Sequence, residues 1–149
     1  MRGRLALAVV CCAVLGGCSD EPEKLPLVCL EGEQAYEQAL RAAPGEVRLQ
    51  GETPISACVR RGSSQADAQN VGVLLLRVAD REVAALPRSD AAAQRLGFLV
   101  GATRRGAERT NGLQIELARR LEQVVGLDGP PRARRPAYLR GVRAGRDHG

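Results

Sequence analysis

The chain is poor in aromatic side chains. Among its 149 residues only Tyr36, Phe98 and Tyr138 are aromatic, and tryptophan is absent. Sites for sugars, choline-like cations and single-stranded nucleic acid usually depend on the flat faces of aromatic rings. These three ligand classes are therefore disfavoured, and the core must be built from leucine, valine, isoleucine and alanine.

Histidine is even scarcer, because His148 is the only one in the chain. A nucleophilic serine or cysteine usually needs a neighbouring base, and a structural zinc ion needs four ligands. The sequence also contains no P-loop, no Gly-x-Ser-x-Gly elbow, no His-Glu-x-x-His motif and no EF-hand loop. We therefore predict a protein that is not an enzyme, with no catalytic residues, no metal and no cofactor.

Long apolar runs are also missing. The longest, Leu5–Leu15, has 11 residues, whereas a membrane-spanning helix needs about 20. The run follows Arg2 and Arg4 and is followed by two glycines, which is the order of regions in an export signal. We predict that residues 1–17 are a signal peptide.

The signal ends in Leu15-Gly16-Gly17-Cys18, which resembles the lipobox of bacterial lipoproteins. The resemblance implies that the Cys18 thiol receives a diacylglyceryl group and that the chain is then cut between Gly17 and Cys18. A thiol suits the first step because its thiolate is a good nucleophile. The alternatives are a plain secreted protein and an uncleaved membrane anchor.

The lipobox also implies where the protein resides. Residues 18–26 are polar at first and contain proline, so they are expected to form a flexible tether between the lipid and the domain. The protein would then lie on a cell membrane, anchored by lipid and facing away from the cytoplasm. If the host has two membranes, the outer one is open to it as well.

Cys29 and Cys58 are the two cysteines that follow the lipobox. In an oxidising compartment an even pair favours a disulfide. A short helix is expected to place Cys58 beside Ile55, facing inward. Reactive and metal-binding roles for these thiols are the weaker alternatives.

Apolar residues recur at helical spacing through residues 27–128. They predict an all-α fold, a small bundle of three to five helices with one disulfide, and a brief extended piece at Val47 and Leu49. The expected helix ends are Pro44-Gly45, Gly62, Pro87 and Gly126.

Two further details concern the helices. Ser64 lies three residues before Asp67 and predicts an N-terminal cap for a helix that reaches about Leu86 and is expected to be the central one. Residues 91–125 are expected to form two helices or one bent helix, since glycines weaken a helix by about 1 kcal/mol each. Gly97-x-x-x-Gly101 predicts close packing against an alanine-rich neighbour rather than an oligomer contact.

The formal charge of +5 is concentrated near one end of the chain. Residues 130–149 contain six arginines and one aspartate, whereas the region between this segment and the signal is mildly acidic. Because residues 129–149 are rich in proline and arginine, we predict an extended or disordered basic tail. Its candidate contacts with an anionic surface, a membrane or a wall polymer, are Arg132, Arg134, Arg135, Arg140 and Arg143; the alternative is a solvated tail that binds nothing.

These observations leave three functions, in descending order. The first is a membrane-anchored lipoprotein without catalytic activity that contacts an envelope protein or an anionic wall polymer. The second is a carrier for a small apolar ligand, and the third is a cell-envelope hydrolase. Nucleic acid is a poor partner because of the expected compartment.

Overall fold

The computed structural model of the protein describes residues 24–108, 110, 112–126 and 129–149. The predicted signal peptide, the lipobox with Cys18 and most of the tether lie outside these residues. The described chain contains a two-stranded antiparallel ribbon, β1 (Arg48–Leu49) and β2 (Thr53–Pro54). It also contains six α-helices: α1 (Glu33–Leu40), α2 (Ile55–Arg61), α3 (Gln65–Ala85), α4 (Asp90–Ala107), α5 (Leu113–Val124) and α6 (Arg135–His148).

The prediction of an all-α bundle is confirmed. Five of the helices lie within residues 27–128, in agreement with the expected three to five, and α6 adds one outside that range. Short 3-10 turns occupy Leu27–Leu30, Leu86–Arg88 and Arg132–Arg134. The extended piece at Val47 and Leu49 is the start of the ribbon, and both of these side chains are fully buried.

The disulfide between Cys29 and Cys58 is present and joins the first 3-10 turn to α2. Both cysteines are fully buried, as is Ile55 one helical turn before Cys58. The hydroxyl of Tyr36, on α1, donates a hydrogen bond of 2.9 Å to the carbonyl oxygen of Cys29. The bridge is therefore part of the core, as the sequence predicted.

The helix α3 begins and ends where the sequence indicated. The side-chain oxygen of Ser64 accepts a hydrogen bond from the Asp67 amide at 3.0 Å, and the helix stops before Pro87. The expectation that α3 is central is wrong, however. Its predicted stripe, Val71, Leu75 and Val78, is buried, but Val73 on its other side is 47 % exposed.

The central helix is α4, which contacts each of the other five α-helices. Most of its residues are buried, including the large side chains Leu96, Phe98 and Leu99. Many of the other buried residues of α4 are alanine or glycine, and these small residues give a weak hydrophobic signal in the sequence. Hydrophobicity in the sequence therefore favours α3 as the central helix, although it is α4 that contacts all the other helices.

The segment 91–125 is divided into two helices, α4 and α5, with the break between Ala107 and Leu113. Gly126 closes α5 with φ of +86°, a left-handed conformation that glycine adopts without strain. Leu117 and Leu121 of the predicted α5 stripe are buried, whereas Leu113 is 46 % exposed.

The prediction of an extended or disordered C-terminal tail is wrong from Arg132 onward. Residues 135–148 form α6, which packs along α4. Proline near the start of a helix is tolerated, because the first helical amides have no partner within the helix. The proline and arginine content therefore obscured a helix whose buried residues, Ala137, Gly141 and Gly145, are all small.

Close backbone contact holds α6 on α4. A methyl group placed on Gly97 or Gly101 of α4, or on Gly141 or Gly145 of α6, would collide with a backbone carbonyl of the other helix. The positions in contact advance together along both helices, so the two helices run in the same direction. The predicted close packing at Gly97-x-x-x-Gly101 is confirmed, but the neighbouring surface is lined by glycine rather than alanine. The carbonyls met by the four glycines are, in order, those of Tyr138, Val142, Gln94 and Phe98.

Candidate functional site

The most distinctive surface of the described domain is the outer face of α6. The residues of α6 that are buried against α4 are Ala137, Gly141 and Gly145, all on one side of the helix. Side chains on the opposite side of an α-helix point away from such a contact. The packing that hides the glycines therefore directs the long side chains of α6 into solvent.

Arginines surround a leucine on this face. These arginines line a shallow groove of about 460 Å³ together with Pro136 and Leu139. The Leu139 residue is 45 % exposed. We call this surface the α6 arginine face; it consists of Arg132, Arg135, Pro136, Leu139, Arg140 and Arg143.

The structure brings four of the five predicted contact arginines together on this face, and Arg134 is the exception. The guanidinium of Arg134 lies 3.0 Å from the Asp90 carboxylate and also donates a hydrogen bond of 3.3 Å to the Pro87 carbonyl. It thereby fixes the start of α6 to the start of α4. Its role is structural, which its place in an arginine-rich run could not indicate.

The far end of α6 is fixed in a similar way. The Arg105 side chain donates a hydrogen bond of 2.8 Å to the Arg146 carbonyl and another to the Asp147 carbonyl. Arg146 itself lies 3.4 Å from the Glu108 carboxylate. A cation at the last carbonyls of a helix is favourable because these groups have no partner within the helix.

The carboxylates of the domain are mostly engaged by arginine. Glu82, which is buried, receives two hydrogen bonds from Arg95, at 2.7 Å and 2.9 Å. The guanidiniums of Arg119 and Arg120 hold the pKa of the Glu116 carboxyl below its usual range, chiefly through hydrogen bonds. A hydrolase with two carboxylates needs one of them to stay protonated, whereas the arginine contacts of Glu116 favour its ionised form.

An apolar groove lies between α3 and α5. It has a volume of about 450 Å³, and its walls include Val73, Leu76, Leu113 and Leu117. Val73 and Leu113 are each nearly half exposed. The groove is open to solvent, and it lies between two helices with leucine and valine in its walls, as the carrier hypothesis expects of a site for an apolar ligand.

None of the described helices is both long enough and apolar enough to cross a membrane. The motif from Leu15 to Cys18 lies outside the part of the chain that the structure describes, so the lipid anchor stays a prediction. Comparison with known proteins adds no assignment: no family model, no curated protein and no solved structure matches the chain at a significant level.

Sequence reasoning missed two contributors to the α6 arginine face. The charge pattern of residues 130–149 does not single out Leu139, and the glycines that orient the helix give no hydrophobic signal. The spacing of Ala137, Gly141 and Gly145 was the available signal, because it repeats every four residues as a helix contact does. Glycine's low helix propensity conceals such a stripe when the sequence is read alone.

Proposed function

We propose that the protein is a bacterial envelope lipoprotein without catalytic activity, held on the membrane through lipidated Cys18. The observation that carries this proposal is Leu15-Gly16-Gly17-Cys18, directly after a short apolar run with arginines before it. A single acyl-type anchor gives marginal membrane binding, whereas two chains, as in a diacylglyceryl group, give stable attachment.

Two features of the described domain support the proposal. Its buried disulfide suits a protein exported to an oxidising compartment. Its first element, the 3-10 turn at Leu27–Leu30, begins nine residues after the predicted lipidation site Cys18, so the domain would be kept beside the membrane. These features agree with the anchor without depending on it.

An interaction role is favoured over chemistry at this location. The carboxylates described above face arginines rather than one another, and the most distinctive surface is a set of outward-pointing arginines. Such a surface binds anions by charge and needs no catalytic group.

The anchor is tested by the intact mass of the protein extracted from bacterial membranes. We expect a mass that lacks residues 1–17 and gains a diacylglyceryl group. Cys18→Ala would abolish both changes, while Cys12→Ala, inside the signal, would leave both intact. Cleavage without added lipid would show a plain exported protein instead, and an uncleaved chain would contradict the lipobox.

The interaction role is tested by crosslinking the lipidated protein in intact cells. We expect one envelope component to be enriched over a control in which an ordinary cleavable signal replaces residues 1–18, so that the domain is exported without lipid and is not held at the membrane. Failure to enrich any component above this control would count against an interaction role.

A further inference from the structure

The three arginines Arg132, Arg140 and Arg143 make no ion pair or hydrogen bond within the described part of the chain, in contrast to Arg134 and Arg146. Asp147 is the acidic residue nearest to them along α6, and its carbonyl is held by Arg105. Arg132, Arg140 and Arg143 therefore give the α6 arginine face positive charge that no acidic side chain of the described residues pairs with. An anionic partner would be attracted to this face.

Leu139 distinguishes between kinds of anionic partner. It is 45 % exposed and is surrounded by the arginines of the same groove. A soluble polyanion would meet the arginines but would offer no apolar region for the leucine. A phospholipid surface offers both, because its headgroups carry charge and the acyl boundary lies just beneath them.

The way α6 is fixed also suits a contact with a surface. Its glycine face touches the α4 backbone directly, and its two ends are held through Arg134 and by Arg105. The helix cannot roll on α4 without separating these contacts. The arginines are therefore presented as a fixed row rather than on a mobile segment.

We infer that the α6 arginine face docks the domain on anionic phospholipid headgroups, with Leu139 entering the headgroup boundary. This inference rests on the proposed function in that the lipid on Cys18 would bring the face to the membrane. Residues 19–24, fully extended, span roughly 20 Å, and a domain of this size has a radius of gyration of about 14 Å. A tether of that length keeps the face at high effective concentration over the bilayer, so weak binding suffices.

The test uses the mature chain, residues 18–149, carrying Cys18→Ser so that no lipid contributes to binding. Sedimentation measures its partition onto vesicles of phosphatidylglycerol and phosphatidylethanolamine in equal parts, and onto vesicles of phosphatidylcholine alone. We expect binding to the anionic vesicles, weakened by salt, and little to the neutral ones.

Charge variants locate the binding. Each arginine near an anionic surface contributes about fivefold, so the triple variant Arg132→Gln, Arg140→Gln, Arg143→Gln is expected to reduce partition by up to about 100-fold. The matched control is Arg77→Gln, Arg119→Gln, Arg120→Gln, which removes the same charge from exposed positions on α3 and α5. An equal loss in both variants would overturn the proposal, since net charge alone would then explain binding.

A dye on Leu139→Cys reports the depth of contact, because the remaining cysteines are joined in the disulfide. We expect a polarity-sensitive dye to shift to the blue on anionic vesicles at this position. The same dye on Ile115→Cys, where the native side chain is 51 % exposed on α5, is expected to shift little. No shift at position 139, or an equal shift at both positions, would overturn the orientation proposed.

A soluble polyphosphate tests the other source of anionic charge. Binding to this polymer without binding to the anionic vesicles would overturn the proposal in favour of a wall-polymer contact. The outcomes also separate the two proposals. Vesicle binding by a chain that cells do not lipidate would refute the anchor alone, whereas lipidation without binding through α6 would refute the docking alone.

Discussion

Tyr36 is a buried side chain whose ionisation makes the stability of the core depend on pH. Its ring is fully buried, and its hydroxyl donates to the carbonyl oxygen of Cys29. Burial raises the pKa of the Tyr36 phenol well above its ordinary value, because the phenolate would lose its hydration. Burial also raises the pKa of Tyr138, on α6, although nearby Arg104 acts in the opposite direction.

The raised pKa of Tyr36 makes the stability of the fold depend on alkaline pH. The unfolded chain loses its phenolic proton near pH 10, whereas the folded protein keeps it, so the folded state binds more protons above that pH. The contribution of Tyr36 to the free energy of unfolding is therefore expected to be constant below pH 10 and to decrease above it. The decrease is up to about 1.4 kcal/mol per pH unit for each such tyrosine. Urea unfolding at several alkaline pH values measures this slope.

Tyr36→Phe provides the control for the alkaline effect. At neutral pH the variant leaves the Cys29 carbonyl without its donor and is expected to lose about 1–3 kcal/mol. Above pH 10 its stability is expected to fall less steeply than that of the native protein. An unchanged slope in the variant would assign the alkaline effect to other groups, such as Tyr138.

Among the elements, the pair α4 and α6 is the most sensitive to an added atom. Ala replacing Gly97 or Gly141 would drive a methyl group into a backbone carbonyl that cannot move without separating the helices. Overpacking of this kind costs about 1–3 kcal/mol or more, which exceeds the gain of about 1 kcal/mol in helix propensity. We expect both variants to lower the free energy of unfolding, measured by circular dichroism in urea.

Gly72→Ala, in α3, is the matched control. A methyl group there would meet the Leu117 side chain at 3.4 Å, an ordinary contact distance. The helix propensity gained is then unopposed, so this variant is expected to match or exceed native stability by up to about 1 kcal/mol. A similar loss in all three variants would show that the glycines act through something other than close approach.

The elements also show which parts of the fold the sequence could predict. Local signals sufficed for α3 and α5, because Ser64, Pro87 and Gly126 act on their own helix ends. They did not suffice for α6, whose stability comes from a partner helix distant in the sequence. The four-residue spacing of its small residues is a weak signal alone, and it gains weight when it is matched with the glycines on α4.

The same difference applies to the candidate site. The arginines were visible in the composition of residues 130–149, but which of them line the outer face of α6 and which one pairs within the domain was not. That division depends on Asp90 and on the Pro87 carbonyl, which the fold brings to Arg134. The predicted lipid anchor, by contrast, is a contiguous motif that needs no tertiary structure to be recognised.

For the molecule as a whole, the Cys29–Cys58 bridge is expected to contribute a large share of the stability. It closes the chain from the first 3-10 turn to α2, with a sequence separation of 29. The chain-entropy argument gives roughly 3–4 kcal/mol for a loop of this size, against a typical total of about 5–15 kcal/mol. We expect the urea midpoint to fall markedly when the protein is reduced.

The double variant Cys29→Ala, Cys58→Ala completes this test. Its midpoint is expected to be low and to be the same with and without reductant. An equal midpoint for the oxidised and reduced native protein would show that the bridge adds no stability. A reductant effect that persists in the double variant would point to a cause other than the bridge.

The direct contact between α4 and α6 has a consequence for the divergence of this protein over evolutionary time. Most side chains have a substitute of similar size, but glycine has none, because every other residue adds at least one carbon atom. Gly97, Gly101, Gly141 and Gly145 are therefore expected to change last in any descendant that keeps the fold. Two Gly-x-x-x-Gly pairs at this separation, after the predicted lipobox and a pair of cysteines, form a signature by which distant relatives can be sought once the rest of the sequence has diverged.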